Sequence, residues 1–227
     1  MAENKERKIL QSWIANSGQW IQTVQRGEIP SRALATNQAI VDAVVAQQPA
    51  NVLDVGCGEG WLCRALTSHG IQSWGVDGAP ALIDEANALG KGTFCVQDYS
   101  DMISRGLSIS RTFDVIVFNF SLFGKTSSAD LIAMLKHSLA PQGKFVIQTL
   151  HPASPSIDHP GVSGWRHESW GCMQRPYSTP YQWYYRNLED WHALFRDGGL
   201  RIEETREIHH PHTQMPVSVI FIVASKD

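Results

Sequence analysis

No run in this 227-residue chain approaches the ~20 consecutive apolar residues of a membrane-crossing helix. Charge of one sign is also scarce. The net charge is −3 and no long basic run occurs, which argues against a nucleic-acid substrate, because neutralising many phosphates takes a basic face. Cysteine is sparse. Cys57, Cys63, Cys95 and Cys172 fall at no metal-ligand spacing, so free thiols are expected and neither a metal site nor disulfides. The stretch from Met1 to Lys8 is charged and lacks the apolar segment of a secretory leader, so a cytoplasmic location is expected. No internal repeat or low-complexity segment is present. A hydrophobic content of 43% and this length suit one α/β core.

One further absence is more informative. Val52 to Val55 reads as a short buried strand and runs into Gly56-Cys57-Gly58-Glu59-Gly60. A glycine turn between a strand and a helix presents backbone N–H groups and the positive end of the helix dipole to a ligand. The dinucleotide fingerprint G-x-G-x-x-G needs its third glycine at position 61, where Trp61 stands. The pattern is instead acid-x-Gly-x-Gly-x-Gly, with Asp54 as the acid.

Strand-like and helix-like segments alternate from Val52 to Val223. Strands are predicted at 73–76, 93–97, 113–118 and up to Ile147, and helices at 61–69, 81–89, 127–139 and 188–196. Strands near 200–206 and 217–224 are joined by a connection too short for a crossover helix, so they are expected to be antiparallel. The expected fold class is α/β: a Rossmann-like, seven-stranded, mostly parallel sheet with an antiparallel C-terminal hairpin and helices on both faces. Two regions fall outside it. Ile9 to Ala46 reads as two or three helices. Pro152 to Arg186, rich in Pro and Gly, reads as an irregular loop.

The glycine pattern resembles the first motif of class I S-adenosylmethionine-dependent methyltransferases, and the order of later strand ends agrees. Asp77 closes the second strand, Asp98-Tyr99 the third and Asn119-Phe120 the fourth, and Leu139-Ala140-Pro141-Gln142-Gly143 precedes the fifth. The small-molecule branch, with its quinone-biosynthesis methyltransferases, is the most similar. The resemblance implies S-adenosyl-L-methionine as cofactor and S-adenosyl-L-homocysteine as product. It implies that Asp54 orders the glycine loop, that Gly56, Cys57 and Gly58 lie against the ligand, and that Asp77 and Gly78 hold the ribose. Asp98 and Tyr99 then fall beside the adenine, and Asn119 and Phe120 beside the methionine part. Trp20 and Arg32 would close the pocket from the N-terminal arm, with Arg32 on the methionine carboxylate or simply a surface charge. On this reading 1–46 is a helical arm capping the cofactor site, and 47–227 is the methyltransferase domain with a lid or substrate insertion at 152–186.

Catalytic residues are harder to read, because in-line methyl transfer needs alignment and water exclusion more than acid chemistry. His151, just after the fifth strand, is a candidate general base or a structural histidine. Tyr184 and Tyr185 are lid candidates, as is His167. The insertion and its flanks hold Trp165, Trp170, Tyr177, Tyr181, Trp183 and Trp191 as well, which suggests an aromatic cover over a planar or apolar small molecule. No metal is expected: His209-His210-Pro211-His212 reads as a solvated turn, and Asn119 stands where metal-dependent relatives carry an acid. The rival readings are a protein or tRNA methyltransferase, a non-catalytic S-adenosylmethionine-binding subunit and, less favoured, a nicotinamide oxidoreductase. Against the nucleic-acid branch, Asn119-Phe120-Ser121-Leu122 lacks an Asn-Pro-Pro-aromatic motif.

Overall fold

The computed structural model describes residues 2–154, 161–168, 170–171 and 173–226. Cys172 lies outside the described residues. A long helix, α1 (Ala2–Gln25), leads through a π-helical turn (Arg32–Thr36) to α2 (Asn37–Val45). Alternation then begins: β1 (Asn51–Val55), α3 (Trp61–Ser68), β2 (Gln72–Asp77), α4 (Pro80–Leu89), β3 (Thr93–Val96), α5 (Tyr99–Arg105), β4 (Phe113–Asn119), α6 (Thr126–Leu135) and β5 (Leu139–Leu150). A separate hairpin, β6 (Gly164–Glu168) and β7 (Tyr181–Tyr185), precedes α7 (Leu188–Asp197), β8 (Leu200–His209) and β9 (Pro216–Ser225).

The main sheet has seven strands in the order β3-β2-β1-β4-β5-β9-β8. β1 to β5 pair in parallel, and β9 runs antiparallel to both β5 and β8. The fold class expected from sequence is thus observed. The period of two explains the layers. In β4, Ile116 and Phe118 join one buried cluster with Phe145, Phe195 and Phe221, while Val115 and Val117 join the opposite one with Ile40, Leu62 and Ile222. Strand order reverses between β1 and β4, which makes the carboxyl ends of these two strands the natural ligand crevice.

Three local expectations need correction. The arm is helical from Ala2, not from Ile9, because Ala2, Glu3, Lys5, Glu6, Arg7 and Lys8 are good helix formers. Leu139 pairs with Phe113 as strand, so α6 stops at Leu135 and a short 3-10 turn follows. The segment 152–186 is not irregular throughout: β6 and β7 pair antiparallel, with Trp165 opposite Tyr184. The aromatic run Tyr181-Gln182-Trp183-Tyr184-Tyr185 has high strand propensity, which outweighs the flanking Pro and Gly.

Candidate active site

Above the β1/β4 crevice lies a cavity of about 790 Å³. Its floor is the β1–α3 loop. Gly56, Gly58 and Gly60 all take positive φ (78°, 58° and 81°), which side chains with a Cβ adopt reluctantly. Each glycine meets a different constraint. A Cβ on Gly56 would come within 2.5 Å of Ser121 Cβ and 2.8 Å of the Tyr99 hydroxyl, and one on Gly60 within 2.7 Å of Phe94 Cζ. Gly58 has room, its nearest neighbour being Trp20 Nε1 at 3.6 Å. Gly56 and Gly60 are therefore glycine for packing, while Gly58 has room on its cavity side.

Asp77, not Asp54, holds this loop. Its Oδ2 accepts from the Gly58 N–H at 2.9 Å and its Oδ1 from the Ala79 N–H at 2.9 Å. Burial raises its pKa against those two bonds. Asp54 is 2% exposed, and among the described residues its Oδ1 has no partner and its other oxygen meets only the Cys63 thiol at 4.0 Å. Burial first, then the neighbouring Asp77 and Glu59, push its pKa up to about 8. Asn119 Oδ1 is likewise buried without a partner. Asp98 caps α5 by accepting from the Asp101 N–H at 2.8 Å, a helix that the sequence reading did not include. The Tyr99 hydroxyl donates to the Ser121 carbonyl at 3.1 Å, and the Ser121 hydroxyl to the Val55 carbonyl at 2.7 Å. Ser121 thus ties the ends of β1, β3 and β4 together, a role no sequence signal marked.

The roof is α1. Ile9, Leu10, Trp13 and Trp20 line the cavity, at the i, i+3/i+4 and i+7 spacings of one helical face; that periodicity was the available sign of Trp13. Arg32 lies between the rings of Trp20 (5.3 Å) and Trp61 (5.2 Å) and donates from Nε to Asn37 Oδ1 at 3.3 Å. No carboxylate lies within ion-pair distance of it among the described residues. Burial pushes its pKa down to about 10, so it stays charged at neutral pH. At the far end of α1, the Glu6 carboxylate accepts from the backbone N–H groups of Lys125 (2.8 Å), Thr126 (2.9 Å) and Ser127 (3.2 Å). A side chain about 120 positions away in the sequence thus caps α6.

All twelve residues expected at the cofactor line this cavity: Trp20, Arg32, Asp54, Gly56, Cys57, Gly58, Asp77, Gly78, Asp98, Tyr99, Asn119 and Phe120. The three catalytic candidates do not. His151 is 7% exposed and is committed to a turn: its Nδ1 accepts from the Ala153 N–H at 3.0 Å, and its Nε2 lies 3.5 Å from Glu207 Oε1. Tyr184 and Tyr185 line a second, smaller chamber of about 150 Å³. This chamber shares Trp13, Trp20, Phe120, Phe123 and Leu150 with the large cavity, so the two adjoin.

None of the described residues of the insertion lines the large cavity. They brace the outer side of α1. The Trp170 ring stacks on Tyr177 (4.7 Å) and meets Trp13 edge-on (5.1 Å). Asn16 exchanges hydrogen bonds with Ser178 (2.6 and 2.7 Å), and Arg175 forks onto Glu28 (2.6 and 2.8 Å). Among the described residues no group of three or more His, Cys, Asp or Glu is arranged to hold a metal. In the turn, His210 Nδ1 faces the His212 and Thr213 N–H groups at 3.3 Å.

Comparison with known proteins bears on this arrangement. A family model described as a methyltransferase domain matches residues 28–205. No curated protein matches the chain. Among solved structures it is similar to the 1,6-didemethyltoxoflavin-N1-methyltransferase of Burkholderia thailandensis, with its substrate and S-adenosylhomocysteine bound. That match has a TM-score of 0.69 at 17% identity and covers 100% of this chain and 91% of the other. An S-adenosylmethionine-dependent methyltransferase from Clostridium acetobutylicum matches at TM-score 0.67 and 15% identity, over 92% and 98% of the two chains. The CcbJ methyltransferase of Streptomyces caelestis matches at 0.63 and 16%, over 83% and 89%.

Proposed function

Since the chain belongs to the methyltransferase-domain family, we propose that it transfers a methyl group from S-adenosylmethionine to a small, planar or apolar acceptor without a metal. When bound, the cofactor would supply an electrophilic methyl group on its sulfonium. The observation that carries the assignment of the site is the pair of buried acceptors, Asp54 Oδ1 and Asn119 Oδ1, left without partners in residues that line the large cavity. Buried acceptors without donors are costly. A ligand with a cationic donor removes that cost.

The charges fit such a ligand. Six acidic side chains line the cavity, from Glu6, Asp54, Glu59, Asp77, Asp98 and Asp130, against the guanidiniums of Arg7 and Arg32, and Asp54 gives up its proton as a cationic group arrives. In this reading Asp54 and Asn119 receive the ammonium end, and Arg32, fixed between two indoles, receives the carboxylate. Asp77 already holds the Gly58 N–H and offers its remaining lone pairs to a ribose diol. Tyr99 shapes the adenine end. Residues 1–46 act as a cap, and 152–186 supply the brace and the walls of the smaller chamber, where Trp13, Phe120 and Phe123 keep water from the point of transfer. A tRNA or protein acceptor fits an aromatic chamber of about 150 Å³ poorly. The described cysteines are free, with Cys57 and Cys63 buried, in keeping with a reducing, cytoplasmic setting.

The test is a calorimetric titration with S-adenosylmethionine, S-adenosylhomocysteine and NAD. Wild type should bind the first two and not NAD. Asp54→Asn and Arg32→Met should each weaken binding about tenfold or more. Undiminished affinity in both variants overturns the assignment.

A further inference from the structure

The smaller chamber contains a charge that the methyl-transfer site does not use. Arg186, the residue after β7, is 5% exposed and lines the chamber. Its Nη2 donates to the carbonyls of Gly124 (3.0 Å) and Lys125 (2.5 Å), which fixes the guanidinium. Tyr184 and Trp191 flank it, with ring centroids 4.9 and 5.2 Å from Cζ. Its Nη1 is buried, and among the described residues it has no partner and no carboxylate lies within ion-pair distance. The chamber's own acid, Glu168, is half-exposed and spends Oε1 on the Trp170 N–H at 2.6 Å. A buried guanidinium hydrogen without an acceptor is costly to keep. It is compensated when an anionic oxygen arrives.

The rest of the chamber sets size and shape. A volume of about 150 Å³ is close to that of an apolar cavity known to hold one benzene ring. Tyr181, Trp183 and Tyr185 alternate along β7 and so share one face of the strand, with Phe123 edge-on to Tyr181 and Trp183 at 6.1 and 6.2 Å. Such walls favour a flat, apolar body.

We propose that the acceptor of this methyltransferase is a single-ring aromatic or heteroaromatic acid, its ring held in the β7 chamber and one carboxylate oxygen received by Arg186 Nη1. The methylated atom lies elsewhere on the substrate, toward the wall of Trp13, Phe120 and Leu150 that both cavities share. The inference rests on the methyltransferase reading of the larger cavity.

Matched pairs test it: 4-hydroxybenzoate against 4-hydroxybenzamide, and nicotinate against nicotinamide. Binding is measured by calorimetry and ligand-observed NMR, on the free protein and on protein saturated with S-adenosylhomocysteine. At least one acid should bind about tenfold or more tighter than its amide. Arg186→Gln should abolish that preference while the S-adenosylhomocysteine affinity stays within about twofold. Should Arg186→Gln not fold, Tyr181→Leu serves instead: loss of a wall should weaken both members of a pair and leave their ratio intact. Amides that bind as well as acids, or no binding by any member, overturn the proposal while leaving the cofactor site standing. Absence of S-adenosylhomocysteine binding would overturn the cofactor reading, and the pair comparison on the free protein still decides the role of Arg186.

Discussion

Asp54 makes the tension between folding and ligand binding measurable at one residue. Its pKa stands at about 8 in the fold, against 3.8 ordinarily. Between those values the folded state binds more protons than the unfolded one, so this residue's contribution to stability falls as pH rises from about 4 to 8. Asp54→Asn should therefore stabilise the ligand-free protein at pH 8 and change little at pH 4, as thermal melts at the two values will show. The wild type should bind a cationic ligand more tightly as pH rises toward 8, releasing a proton, and the variant should lose that dependence. Gly56 is the opposite case, a residue whose identity packing dictates. Gly56→Ala should cost about 2 kcal/mol or more through its positive φ and the contact with Ser121, read by denaturant titration. The glycines were legible in sequence because backbone conformation restricts residue type directly. His151 was not, since whether a histidine faces a cavity or a turn depends on contacts with Ala153 and Glu207, the latter far along the chain.

At the level of elements, α1 is fastened at one end by Glu6 and along its length by Ser178 on Asn16 and Arg175 on Gln22. Burial of the Glu6 carboxyl raises its pKa, but hydrogen bonds from Ser127 and Thr126 outweigh this and leave it below 4.5. Its stabilising contribution is thus present above that value and lost as pH falls through the lowered one. Glu6→Gln should weaken the cap on α6 by about 1 kcal/mol and speed amide exchange in the first turns of α1 and α6, leaving β1 and β4 protected. Equal rates in mutant and wild type would show that Glu6 does not hold the arm. The arm itself was visible in sequence through the stripe from Ile9 to Trp20. Its partner hairpin was not, because Pro and Gly around 152–180 obscure the short runs at 164–168 and 181–185.

For the whole molecule, the mostly parallel seven-stranded sheet with its antiparallel C-terminal pair, expected from the βαβ alternation, is observed, since parallel strands with crossover helices leave few topologies open. The presence of a second cavity adjoining the first was not readable, because it depends on where β7 returns against α1 and the 120–123 loop. Ligand binding in the larger cavity should slow exchange in α1 and β7 together, a coupling visible by exchange mass spectrometry and absent if the arm and the hairpin move independently. The place of β9 carries a consequence for biosynthesis. β5 ends at Leu150, yet its neighbour on that side is β9, beginning at Pro216. While a ribosome makes the intervening residues, at about 5–20 per second, the edge of β5 stands unpaired for several seconds. Its sequence there, Phe145-Val146-Ile147, is strongly β-forming. A nascent chain stalled before Pro216 should consequently recruit chaperones or self-associate, and one released past Ser225 should not.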